Sequence, residues 1–196
     1  MTTDVQICNT ALNQIGASTI LTLSDDSKPA RLLNQRYSFV RDAVFRAHPW
    51  NCLITRATIA KDVAEPAFEF GSQFTLPTNP YCLRVLNLSQ LDIIHRVEGR
   101  KILCNEATLD LVYVARITDV TQYDILLFET IAAALAADIA YPLVGSVSLA
   151  ADMRVLYEAK LSEARFVDAT EGTPASIGSV TDSGSLEADT FIRSRY

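Results

Sequence analysis

A chain of 196 residues with 49% hydrophobic and 20% charged side chains is long enough to bury one sizeable core, since domains run about 100 to 200 residues. Its formal net charge of −6, from 17 basic and 23 acidic side chains, argues against a protein that grips nucleic acid through its phosphates. The start, Met1-Thr2-Thr3-Asp4-Val5, has no basic region leading into an apolar one, so no secretory signal is expected and folding is expected in the cytoplasm.

Thr3 followed by Gln6 reads as a capping box, because the hydroxyl can accept from the third helical N–H while the Gln side chain reaches back. A helix over about Asp4 to Ile15 follows, burying Val5, Cys8, Leu12 and Ile15, and Gly16 caps it. Ala17 to Ser27 reads as a loop held by Leu21 and Leu23, with Asp25 and Asp26 as turn residues. Ser27 caps a second helix with Pro29 in its first turn. Leu32, Leu33, Arg36, Tyr37, Val40 and Val44 share a stripe on it. The stop comes at His48, since the residue before a proline is pushed out of helical geometry.

From about Ile54 to Arg116 the period changes to short β-branched and aromatic runs, which predicts one small inserted antiparallel sheet. The expected strands are Phe74 to Leu76, Cys82 to Leu88, Ile93 to Val97, Lys101 to Cys104 and Leu109 to Arg116, with a tight turn at Glu98-Gly99. Thr121 with Asp124 marks a further helix start, and Phe128, Ile131, Ala132, Leu135 and Ile139 give that helix a long buried face. The apolar run Ile125 to Val144 contains Glu129 and Asp138 and ends near Tyr141-Pro142, so it reads as a core helix and not a membrane span. A last helix begins near Ser148, carries Leu149, Met153, Leu156, Leu161, Arg165 and Phe166, and stops at Gly172. The expected architecture is α+β: a bundle of about four long helices, residues 1–170, with a β insertion at about 54–118 and an extended tail at 171–196.

Cys8, Cys52, Cys82 and Cys104 never pair as C-x-x-C, and only His48 and His95 could join them at a metal; buried reduced thiols are the expectation, with no metal and no cofactor. No nucleophile elbow, phosphate-binding glycine loop or H-E-x-x-H stands in the chain. No catalytic residue is assigned, although a carboxylate-pair hydrolase using Glu65 with Glu69 stands as an alternative. His95 reads as a solvated strand histidine. Arg31, Arg36, Arg41, Arg46, Arg56, Arg84, Arg96, Arg100 and Arg116 outnumber the four lysines, and that excess suits protein interfaces, where the planar fork holds carboxylates.

The densest stretch is Arg41-Asp42-Ala43-Val44-Phe45-Arg46-Ala47-His48-Pro49-Trp50-Asn51. Arg41, Asp42, His48, Pro49 and Trp50 form an expected structural corner. Adjacent residues on a helix point apart, so Arg41 and Asp42 are expected to find partners one turn away. His48 is expected to bond a carbonyl at the helix end, and Trp50 to bury against the bundle with one acceptor for its indole N–H.

This run, followed by Arg56-Ala57, resembles the motif of the head-to-tail adaptor proteins of short-tailed phages, the tail tubular protein A family. The likeness extends from Cys8-Asn9-Thr10-Ala11-Leu12-Asn13-Gln14-Ile15-Gly16 through Leu23-Ser24-Asp25-Asp26-Ser27, Phe74-x-Leu76-Pro77, Leu83-Arg84-Val85 and Tyr113-x-x-Arg116 to the alanine-rich and last helices. It implies a virion protein assembled beneath the portal as a homo-oligomeric ring, usually of about twelve copies. Such a ring extends the channel for double-stranded DNA without binding it specifically, and gives tail nozzle or tail-fibre proteins a platform. No membrane partner is implied. By the same resemblance the tail embraces the portal. Phe191, Ile192, Arg193, Arg195 and Tyr196, at the tip of a polar tether carrying Glu171, Asp182, Glu187 and Asp189, are its expected contacts. A free-standing helical interaction module is the other alternative.

Overall fold

A computed structural model describes residues 3–88 and 93–171. The tail tip from Phe191 to Tyr196 and the expected stop at Gly172 lie outside these described residues. Among the described residues the fold is mixed, with four α-helices and two three-stranded antiparallel sheets.

Helix α1 is Asp4–Gln14, and its capping box forms as the sequence predicts: Thr3 N–H donates to Gln6 Oε1 at 2.9 Å and Gln6 N–H to Thr3 Oγ1 at 3.3 Å. At its other end Ala17 N–H reaches the Leu12 carbonyl at 2.9 Å and Gly16 N–H that of Asn13 at 3.2 Å. That pair of bonds is the Schellman closure, which needs the left-handed φ of +69° that Gly16 supplies. Of the two expected anchors of the following loop, Leu23 packs against the core, but Leu21 is 88% exposed and Ile20 is buried in its place. Asn9 holds Ile20 through both its backbone N–H and C=O, each at 2.9 Å. Side-chain hydrogen bonds from a helix, invisible to a pattern of apolar spacing, set which residue points inward.

Helix α2, Lys28–Ala47, starts at the Ser27 cap and ends where Pro49 dictates, with His48 in extended geometry. Ala30, Leu33, Tyr37, Arg41, Val44 and Phe45 form its buried face. Arg36 lies on the exposed side and pairs across to Asp138 through Nε at 2.6 Å. Helix α3, Ile125–Val144, begins one turn later than Thr121 suggests. Asp119 caps a separate 3-10 turn at Val120–Gln122, and Asp124 is itself the α3 cap, accepting from Leu126 N–H at 2.8 Å. Nor does Tyr141-Pro142 stop this helix: Pro142 sits in its last turn, and Gly145 at φ +74° closes it. Phe128, Ile131, Ala132, Leu135 and Ile139 are all buried, joined by Ala133, Ala134, Ala136 and Ala140. The helix is long and apolar enough to cross a membrane by composition alone, yet it is the central core helix, packed on α1, on α2 and on helix α4, Val147–Thr170. Helix α4 is capped by Ser146, which accepts from Leu149 N–H at 3.2 Å.

The inserted region is two sheets and not one. Strand β1, Ile54–Ala60, absent from the expected strands, pairs with β6, Thr108–Arg116, which pairs in turn with β3, Tyr81–Leu88. The second sheet runs β2, Ser72–Thr75, then β5, Lys101–Cys104, then β4, Arg96–Glu98. Glu98 pairs directly with Lys101, so the hairpin turn is Gly99-Arg100, one residue beyond Glu98-Gly99. Alternation along β6 splits the interior into two cores. Leu109, Leu111, Tyr113 and Ala115 meet Phe74, Ile102 and Cys104 of the second sheet, whereas Val114, with Leu83 of β3, faces the helices. The β1–β6–β3 sheet is thus a shared wall. Two bulges in β3, between Cys82 and Arg84 and between Val85 and Asn87, bend it there.

Candidate functional site

The Arg41-to-Asn51 corner joins three elements at the shared wall. Trp50 is buried and its indole N–H donates to the Val44 carbonyl at 2.9 Å, as the sequence predicts. His48 does not bond a helix-end carbonyl. Its Nε2 lies 3.0 Å from Asp168 Oδ2 on α4, and its ring meets Trp50 edge-on at 4.9 Å between centroids. Asp168 is buried and fully used. Its other oxygen accepts from Asn51 N–H at 3.0 Å, and its backbone C=O accepts from Asn51 Nδ2 at 2.7 Å. Arg165, one turn back, donates to the Ala47 carbonyl at 2.8 Å, satisfying a helix C-terminal group that has no partner within α2. The end of α4, where the C-terminal tail departs, is therefore pinned to the corner.

Arg41 and Asp42 correct a second expectation. They bond each other, Arg41 Nε and Nη2 donating to Asp42 Oδ1 at 3.1 and 2.9 Å. The positions one turn from Arg41 are Tyr37, Ser38, Val44 and Phe45, none of them a carboxylate. The long side chain folds back onto its neighbour instead. Arg41 is 7% exposed. Burial works against its charge, but the Asp42 hydrogen bond and carboxylate outweigh that and hold its pKa above the usual arginine value. The rings of Tyr37 and Phe45, 5.6 and 5.8 Å away, add cation–π attraction. Asp42 also takes Arg116 of β6, Nη2 to Oδ2 at 2.5 Å, so this pair ties α2 to the shared wall.

Beyond Asp42 opens a cleft of about 560 Å³ between α2, β3, β6 and the β4–β5 hairpin, lined by Arg46, Arg84, Arg100, Arg116 and Tyr81 among others. Arg46 Nη1 donates to the Leu83 carbonyl, and Arg84 Nη1 donates to the Arg46 carbonyl at 3.3 Å. Arg100, delivered by the hairpin turn, donates to Cys82 O at 2.7 Å and Pro77 O at 2.8 Å. Its guanidinium carbon lies 3.9 Å from the Tyr81 ring centroid, and that of Arg116 lies 4.4 Å from the same centroid.

No family model matches this chain, and no curated protein matches it either.

The other residues that the sequence singles out lie apart from the corner. Glu65 and Glu69 are exposed, each beside its own cation: Glu65 with Lys61 at 3.1 Å, Glu69 with Arg96 at 3.5 Å. His95 is exposed but precedes β4, its Nδ1 3.0 Å from the Ile93 carbonyl. Cys8, Cys82 and Cys104 are buried, Cys52 is half-buried, and all four are free. Burial, aided by the nearby Asp4 carboxylate, pushes the Cys8 thiol up to about 12. Asp168 is the residue of this corner that motif and spacing did not single out. Its signal was present: it lies on the same face as Leu161 and Ala164 in the last helix, an acid placed on an apolar stripe. Nothing local announces the Tyr81–Arg100–Arg116 grouping, which strand pairing alone creates.

Proposed function

We propose that the chain is a structural virion protein, a head-to-tail adaptor that docks under the portal as a ring of about twelve copies. In that role it extends the channel through which double-stranded DNA passes, serves DNA ejection, and offers a platform to tail nozzle or tail-fibre proteins. It is made in the host cytoplasm and resides in the virion neck. The motif series around Arg41 to Asn51 supports this reading, as does a helical body carrying an inserted β region.

The observation that carries it is α4. Of its 24 residues only Ala164 and Asp168 are buried, and Val147, Ala151, Val155 and Phe166 fall on one exposed stripe at helical spacing. Phe166 is 72% exposed. This exposed side, apolar at those four positions and polar at Glu158 and Ser162 between them, is suited to a neighbouring copy, because a ring needs head-to-tail contacts between two different patches. The tail then leaves from a fixed point, the Asp168 clamp, toward the portal, with Phe191, Ile192, Arg193, Arg195 and Tyr196 as its contacts.

Deleting residues 173–196 tests the reading by co-sedimentation with portal rings. The full chain is expected to attach and the truncated chain to keep its circular-dichroism spectrum but not attach. Equal attachment of both would refute the tail assignment.

A further inference from the structure

We propose that the arginine cleft between α2 and the two sheets is a binding site for a compact, multiply charged oxyanion of the phosphate class. The inference is independent of the adaptor reading.

In a chain of net charge −6, the lining of this cleft is positive. Arg46, Arg84, Arg100 and Arg116 line the cleft, and among the described residues Asp42 is the one carboxylate lining it. Asp42 is already shared between Arg41 and Arg116. The four guanidinium groups lining the cleft against its one carboxylate leave three positive charges unmatched among the described residues, since the acceptors of Arg46, Arg84 and Arg100 are neutral backbone carbonyls.

Those carbonyl bonds also fix the forks before any ligand arrives. Each guanidinium has five N–H donors, and here the backbone takes one bond from Arg46, one from Arg84 and three from Arg100, which leaves donors free on each. Arg116 Nε is buried without an acceptor among the described residues, a state that costs free energy. The guanidinium groups come from four separate elements, so their free N–H groups do not lie in one plane. A carboxylate offers two coplanar oxygens and suits a single fork. A phosphate offers several oxygens in three dimensions and more than one charge, which matches this donor set. The Tyr81 ring, within 4.4 Å of both the Arg100 and the Arg116 guanidinium carbons, keeps these cations in place when the cleft is empty.

Titration calorimetry of the full chain with inorganic pyrophosphate, with citrate and with a DNA duplex of about 20 base pairs tests the site. Arg84→Glu, at an exposed position, reverses charge in the cleft, and Arg31→Glu does so far from it, at a surface pair with Asp26. Pyrophosphate is expected to bind once per chain, with affinity weakened at least about tenfold by Arg84→Glu and unchanged by Arg31→Glu. If the duplex binds with the same variant pattern, the phosphate comes from a nucleic-acid backbone and the site stands. Absence of binding by both phosphate probes, equal weakening by the two variants, or citrate binding as tight as pyrophosphate would overturn the proposal.

Discussion

His48 Nε2 and Asp168 Oδ2 lie 3.0 Å apart across 120 residues of chain, and this contact makes the helix-stopping corner and the end of the last helix one structural unit. Asp168 satisfies His48 and the Asn51 N–H with its two carboxylate oxygens. Replacing it with alanine leaves both groups unmatched at a buried site. Asp168→Ala should lower unfolding free energy by about 2 to 4 kcal/mol in urea denaturation. A loss below about 0.5 kcal/mol, the usual size for a surface change, would show that the clamp is not structural.

Trp50 reports on the same corner. It is the only tryptophan, and it is buried with its N–H on the Val44 carbonyl. Native emission should be blue-shifted and move red in one step as urea unfolds the chain. Trp50→Phe keeps an aromatic ring but orphans the Val44 acceptor, so it should cost about 1 to 3 kcal/mol. A red-shifted native spectrum would contradict the burial.

Cys8 should be inert. Its thiol is pushed up to about 12 by burial and by Asp4, and the thiolate is the reactive form. At a pH of about 8, just below the ordinary cysteine range, a thiol reagent should modify Cys8 only on the timescale of unfolding, read by mass spectrometry of labelled peptides. Labelling of Cys8 within seconds in native buffer would contradict this.

The loop before α2 should loosen in acid. The Thr22 hydroxyl, with the backbone N–H groups of Thr22 and Leu21, holds the Asp25 carboxyl below its usual range. A depressed folded-state pKa means the stabilisation is present above the unfolded value, about 3.9, and is lost as pH falls through the folded one. The amide resonances of Leu21 and Thr22 should therefore shift below a pH of about 4 in the wild type. In Asp25→Asn that acid transition should be missing; its persistence would place the titration elsewhere.

Much of the helical frame could be read from local signals. The Thr3–Gln6 box, the Gly16 closure, the Ser27 cap and the Pro49 stop each act within one turn of chain, and all four form. The β region was less legible because its order depends on pairing between distant strands. Strand β1 carries Arg56, Thr58 and Ala60 on its exposed side and has no strong apolar alternation to announce it. The corner was half legible. Trp50 and its acceptor lie six residues apart, whereas Asp168 and Arg116 reach His48 and Asp42 only through the tertiary fold. In helix α4, Phe166 is exposed: spacing shows where an apolar residue falls on a helix, but not whether the chain itself covers it.

Electron microscopy of the purified chain mixed with phage portal rings tests whether this chain assembles on a portal. The expected image is a second ring stacked coaxially on the portal, with its channel continuous with the portal's. Portal rings that stay bare at saturating concentrations of the full chain would contradict it.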